Sequence, residues 1–258
     1  MTSLDKFGFK FGRNGPHSSR TMMLDEVSTC LDLLPRDTDK EGYREAIVVH
    51  NILGKQTEST RKESFRRLRE IYGMDPSISI FRLYRELDQM DVSARPLLSV
   101  LTACARDPLL RATIPVIIAS REGQHITAEN FEDAIERALP GYQKPKIRAA
   151  TARHISSTWT QSGHLEGRSP KIRIPACPSP AALTMALIMG FLEGHRNAAL
   201  FGCSWCRVLD LNTAQTQSLA LQAHREGYLD LRMTGNIAEI TFPRYVKMMN
   251  NEGQHEPL

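Results

Sequence analysis

The chain lacks the marks of a membrane-spanning or secreted protein. No uninterrupted apolar stretch reaches the ~20 residues needed to cross a bilayer. The longest, Ala181 to Leu192 (AALTMALIMGFL), has the length of a buried core helix. The first residues show no apolar signal-peptide core. Cysteine is sparse, and five is an odd number, which suits free thiols in a reducing compartment better than a disulfide framework. The expected location is cytoplasmic, with no membrane partner.

Catalytic signatures are also missing. Cys203-Ser-Trp-Cys206 is a lone CxxC with no second pair or ligand-spaced histidine, so the sequence does not point to zinc. Its cysteines read as core residues. His154 and His164 have no carboxylate or cysteine partner at catalytic spacing and read as packing or polar binding residues. Gly8 and Gly12 lack the Lys-Ser/Thr ending of a phosphate-binding loop. Trp159 and Trp205 read as core rather than as base-stacking platforms. The expectation is therefore a non-enzymatic protein with no metal and no cofactor.

What is present is ordinary globular composition. The chain has 258 residues, 41% hydrophobic and 24% charged, enough for one large domain or two to three small ones. The excess of Lys+Arg 33 over Asp+Glu 29 is slight, but it is unevenly spread. Residues 141–178 carry Lys144, Lys146, Arg148, Arg153, Arg168, Lys171 and Arg173 against Glu166 alone. Residues 55–72 carry Lys55, Arg61, Lys62, Arg66, Arg67 and Arg69 against Glu58, Glu63 and Glu70. The remainder is slightly acidic. Two basic blocks on such a chain have the form of an electrostatic footprint for a polyanion.

Periodicity places these blocks. Phe7, Phe9 and Phe11 alternate near the N-terminus, as an edge strand or a docking aromatic arm would. Helices are predicted over Thr21 to Leu34 and Glu41 to His50, the second with Tyr43, Ala46, Ile47 and His50 on one stripe. A turn with Gly54 available for a left-handed conformation follows. The next helix opens near Thr57 to Thr60, with Thr60 and Glu63 at capping-box spacing, and has Phe65, Leu68, Ile71 and Tyr72 as its apolar stripe. Lys62, Arg66 and Arg69 fall on its other face, giving a helix-turn-helix pattern.

Helical segments continue over Ile78 to Gln89 and over Pro96 to Ile118, the latter broken at Pro108 and Pro115. Thr127 reads as the N-cap of Ala128 to Leu139. Lys144 to Trp159 follows, with Ile147, Ala150, Ile155 and Trp159 inward and Lys146, Arg148 and Arg153 outward. Two short β-prone runs between His164 and Pro175 then complete a winged-helix pattern. The C-terminal third repeats the plan: an apolar helix from Pro180, another around Trp205, Thr213 capping Ala214 to Glu226, and a hairpin over Tyr228 to Pro243 around Gly235-Asn236. The fold class expected is mainly α with small β-hairpin wings, in a helix-turn-helix and tandem winged-helix architecture. Residues 1–90 would form the N-terminal helix-turn-helix domain, 91–178 the basic winged-helix domain and 179–258 a near-neutral, winged-helix-like C-terminal domain.

Several strings, taken in order, resemble the BrxA family of bacteriophage-exclusion (BREX) defence systems. They are Asn51-Ile-Leu-Gly-Lys-Gln-Thr-Glu-Ser-Thr-Arg61, Trp159-Thr-Gln-Ser-Gly-His-Leu165, Gly190-Phe-Leu-Glu-Gly-His-Arg196, Trp205 through Leu211, and Gly227-Tyr-Leu-Asp-Leu-Arg232. The resemblance runs from about residue 41 to 247. It implies a small non-enzymatic component that binds double-stranded DNA beside other BREX proteins, and it carries over no catalytic residue. An assembly module of the defence complex, or an RNA-binding protein resembling an antitermination factor, are the alternatives. The DNA-binding residues expected are Lys55, Arg61, Lys62, Arg66 and Arg69 in the first block, and Lys144, Lys146, Arg148, Arg153, Arg168, Lys171 and Arg173 in the second.

Overall fold

A computed structural model describes residues 3–234 and 237–246. The chain is mainly helical, with two small antiparallel sheets. A short helix, α1 (Ser3–Phe7), leads into an arm; Phe7 at the end of the helix and Phe9 in the arm are buried, and Phe11 is exposed. The alternating phenylalanines thus do not form an edge strand, and of the two in the arm Phe9 is the one that docks. Phe9 meets Trp205 edge-on, with centroids 6.0 Å apart.

Helix α2 (Leu24–Leu33) precedes α3 (Lys40–Arg44), which runs into a π-helical turn over Glu45–Val49. Tyr43, Ala46 and Ile47 are buried as their stripe requires, whereas His50 lies at the end of that turn and is exposed. Gly54 takes φ +63°, in the left-handed region that glycine enters without a Cβ penalty. Helix α4 (Glu58–Tyr72) buries Phe65, Leu68, Ile71 and Tyr72. Its cap is Thr57, whose hydroxyl accepts from the Thr60 amide at 3.2 Å, rather than a box of Thr60 with Glu63.

Helices α5 (Ser79–Met90) and α6 (Arg95–Arg106) form the scaffold that follows. Asp107 caps the short α7 (Pro108–Arg111), and α8 (Ile114–Ala119) carries Pro115 in its first turn, where a missing amide costs nothing. Strand β1 (His125–Ile126) leads to α9 (Ala128–Ala138), which opens with a capping box of Thr127 and Asn130. Helix α10 (Pro145–Gln161) then passes through a turn at Gly163 into β2 (Leu165–Glu166) and β3 (Lys171–Arg173). The strands are ordered β1-β3-β2, with His125 opposite Ile172 and Leu165 opposite Arg173.

The apolar run becomes α11 (Pro180–Leu192), buried on every side from Pro180 to Gly190 and packed against α5 and α6. Helix α12 (Ser204–Val208) and helix α13 (Thr213–Arg225) lie against it. Asn212, not Thr213, caps α13, through a box with Gln215. Strands β4 (Asp230–Thr234) and β5 (Ile237–Thr241) form the last hairpin, whose expected turn at Gly235-Asn236 lies outside the described residues. One apolar cluster runs without a break from Phe7 to Tyr245, and Trp159, Trp205, Cys203 and Cys206 are all inside it.

Candidate nucleic-acid interface

The segment from α8 to β3 presents α10 on the protein surface. Its inner side is set by Ile155 and Trp159, both fully buried, and the Trp159 indole N–H donates to Thr113 Oγ1 at 3.0 Å. Thr158 on the same side bonds the N-terminal arm, accepting from the Met22 amide at 2.9 Å. Its outer side carries Lys144, Lys146 and Arg153, all exposed. None of the three has an ion-pair partner among the described residues. Lys144 and Lys146 sit at the N-terminal end of α10, where the helix dipole is already positive, so they work against helix stability. Cations placed where the helix itself gains nothing from them raise the local potential for an anion. Arg168, in the turn between β2 and β3, is likewise exposed.

The remaining cations of this block are engaged. Arg148 is ion-paired with Glu136 of α9. Lys171 is half-buried, its Nζ donates to Thr160 Oγ1 at 2.6 Å, and burial lowers its pKa. Arg173 is only 2% exposed; it is ion-paired with Asp210 and donates to the His164 carbonyl at 3.2 Å. Its alternation along β3 turns it inward, so it joins the sheet to the loop before α13 and cannot meet a phosphate. Ile147 departs from expectation in the opposite direction. It lies in the first turn of α10 and is 49% exposed, whereas Ile155 and Trp159 further along the helix are fully buried.

The first basic block is largely matched by carboxylates. Lys55 Nζ lies 3.0 Å from Glu26, and Lys62 Nζ lies 2.6 Å from Glu58. Arg66 reaches Glu63 at 2.7 Å and Glu70 at 3.2 Å, while Arg67 shares both acids. The hydrogen bond from Arg66 holds the Glu63 carboxyl down at about 2. Arg61 is half-buried, its guanidinium toward the Val49 carbonyl. Of this block, Arg69 is exposed and has no ion pair among the described residues. Surface pairs of this kind contribute only ~0–1 kcal/mol each, yet their carboxylates cancel the field a polyanion would feel. Lys144, Lys146 and Arg153, unlike Arg148, have no such carboxylate partner among the described residues.

His154 and His164 both bond main-chain carbonyls. His164 is buried; its Nε2–H donates to the Val208 carbonyl at 2.8 Å, and burial pushes its pKa down to about 4. His154 donates from Nδ1 to the His17 carbonyl at 3.1 Å. Its pKa is lowered by burial first, with the nearby charges of Arg153 and Arg20 adding to the effect. Arg20, exposed beside α10, is a cation that periodicity could not assign to this surface, because the arm carrying it is more than a hundred residues away in sequence.

Among the described residues no cluster of three or more His, Cys, Asp or Glu is arranged to hold a metal ion, and no helix is long and apolar enough to cross a membrane. No protein-family model matches the chain, and neither the curated proteins nor the solved structures provide a match.

Proposed function

We propose that residues 114–173 form a winged-helix unit that binds duplex DNA, with α10 as the recognition helix and the β2–β3 turn as the wing. The order helix, strand, helix, helix, strand, strand, closed into a sheet ordered β1-β3-β2, supports this reading. The single observation that carries it is a coincidence of position. Lys144, Lys146, Arg153 and Arg168, which have no ion pair among the described residues, lie on the two elements such a unit turns toward DNA, whereas most cations of α4 are matched by carboxylates. Helices of this kind read base edges in the major groove, and wings contact the phosphate backbone.

The helix-turn-helix over α3 and α4 contributes Arg69 and little else that is free. The hairpin β4–β5 following α13 is a second wing on a near-neutral unit, suited to docking other proteins of the same system. With the strings that resemble the BrxA family, this supports a non-enzymatic DNA-binding role in BREX defence, performed in the cytoplasm.

The test is fluorescence anisotropy with a labelled duplex and the full chain, wild type against a variant carrying Glu at positions 144, 146, 153 and 168. The variant should lose at least tenfold in affinity while its circular dichroism spectrum is unchanged. Undiminished affinity would refute the assignment. Structured RNA that displaces the duplex at equal concentration would replace DNA with RNA as the ligand.

A further inference from the structure

A second basic feature is a groove between the N-terminal arm and α4. The arm turns over the C-terminal end of α4, and between them opens a groove of about 680 Å³ whose far wall includes Tyr142, in the loop before α10. That volume falls within the ~300–1,000 Å³ range of small-molecule sites.

The groove is positively charged by construction. Five cations line it, Lys10, Lys40, Arg67, Arg69 and Arg106, against the carboxylates Glu70 and Asp75. Both acids are already engaged. Glu70 accepts from Arg66 and Arg67, and Asp75 accepts from the Ser77 amide at 2.9 Å. Lys10, Lys40 and Arg69 have no ion pair among the described residues. Arg106 is 5% exposed and spends its donors on main-chain carbonyls, Gly8 at 2.8 Å, Glu70 at 3.3 Å and Arg69 at 3.4 Å. It therefore brings a buried positive charge without a carboxylate to balance it, an arrangement that an incoming anion relieves.

The groove also has an aromatic rim on a rigid mount. Lys10 donates its amide to the Ala105 carbonyl at 3.0 Å, and Arg111 Nη2 donates to the Lys10 carbonyl at 2.7 Å. These bonds fix the arm where Phe11 emerges. Phe11 is 54% exposed, with the Arg111 guanidinium 5.1 Å from its centroid. The ring also lies near-parallel to that of Phe9, with centroids 6.3 Å apart, so Phe11 offers a base the part of its surface that Phe9 and Arg111 leave open. Cations for a phosphate and an aromatic face for a base are the two halves of single-nucleotide recognition.

We propose that this groove is a nucleotide site, taking a phosphate on Lys10, Lys40 and Arg69 and a base on Phe11. The nucleotide is either free in solution or the terminal unit of a single strand; the groove is too small to admit a duplex.

The test is titration calorimetry on the full chain with two probes, ATP and a 5′-phosphorylated pentathymidine. Binding of either supports the site, and the tighter probe identifies the source. Lys10→Glu with Lys40→Glu should weaken the bound probe at least tenfold, and Phe11→Ala should weaken it by ~10-fold. All these positions are exposed, so the fold should tolerate the changes. Lys146→Glu with Arg153→Glu on α10 should leave nucleotide affinity unchanged while duplex affinity falls, which separates this site from the duplex surface. Absence of binding by both probes at millimolar concentration would overturn the proposal. So would equal loss in the α10 variant, or no loss in the groove variants.

Discussion

His17 Nδ1 stands 2.7 Å from Asp107 Oδ2, with both side chains fully buried, and Nε2 of the same ring meets Thr158 Oγ1 at 2.9 Å. One imidazole thus links the N-terminal arm to the start of α7 and to the inner side of α10. Asp107 also accepts from the His17 amide at 2.8 Å and from the Leu109 amide at 2.7 Å. Burial alone would raise its pKa, but the neighbouring His17 charge and these hydrogen bonds hold it below the usual carboxylate value. The surface proposed to meet DNA is therefore held partly by a segment more than a hundred residues away in sequence.

Replacing His17 with Ala leaves the Asp107 carboxylate buried without its side-chain partner. Breaking a buried pair from one side costs ~3–5 kcal/mol, so the urea midpoint of His17→Ala should fall strongly. A loss below about 1 kcal/mol would show that the arm does not depend on this pair.

His164 gives stability a pH dependence of known sign. Its folded pKa is lowered by burial to about 4, against an unfolded value of ~6.5. Between these values the unfolded chain binds the proton and the folded chain does not, so stability falls as pH drops from ~6.5 to ~4. At ~1.4 kcal/mol per pH unit the total is about 3 kcal/mol. Urea unfolding at stepped pH should show the slope in wild type and a shallower one in His164→Gln; identical slopes would contradict the assignment.

Gly15 is held by close approach rather than by backbone angle. A Cβ at this position would lie 1.9 Å from Asp107 Oδ1. Gly15→Ala must displace either the arm or the carboxylate, at a cost of ~1–3 kcal/mol. At Gly12 nothing lies within 4 Å of such a Cβ, although φ is +105°. Thermal melts should therefore place Gly15→Ala below Gly12→Ala, and the reverse order would refute the close contact.

Two arginines from the same basic block should separate stability from binding. Arg173→Met removes a buried partner of Asp210 and should destabilise the fold by ~3–5 kcal/mol. Arg153→Met changes an exposed, unpaired side chain and should leave the melting temperature within error while weakening duplex affinity. Anisotropy and calorimetry on both variants check the contrast; equal stability losses would contradict it.

The helices were legible wherever the apolar period was strong. Phe65, Leu68, Ile71 and Tyr72 are buried as their spacing requires, and the run at Pro180 becomes the central helix. Charge was less legible than periodicity. Arg173 and Arg153 are alike in sequence, and only the alternation of a three-residue strand and the position of Asp210 send one inward. Ile147 follows the helical stripe, but a stripe does not reveal where the core ends. Strand β1 is two residues long and has no periodicity to detect; it is defined by pairing with β3, from a segment more than forty residues away. The arm's role rests on His17, Asp107 and Thr158, three positions that only tertiary structure brings together.

DNA binding by α10 and the β2–β3 turn, as proposed, rests on cations with no ion pair among the described residues. The most direct test is duplex affinity measured against salt, for wild type and for single Lys146→Ala and Arg153→Ala variants. Each phosphate contact contributes a slope of ~0.9 in log affinity against log salt. Four contacts predict a wild-type slope of about −3 to −4, reduced in magnitude by ~0.9 in each variant. A salt-independent affinity, or slopes unchanged by both substitutions, would contradict the account.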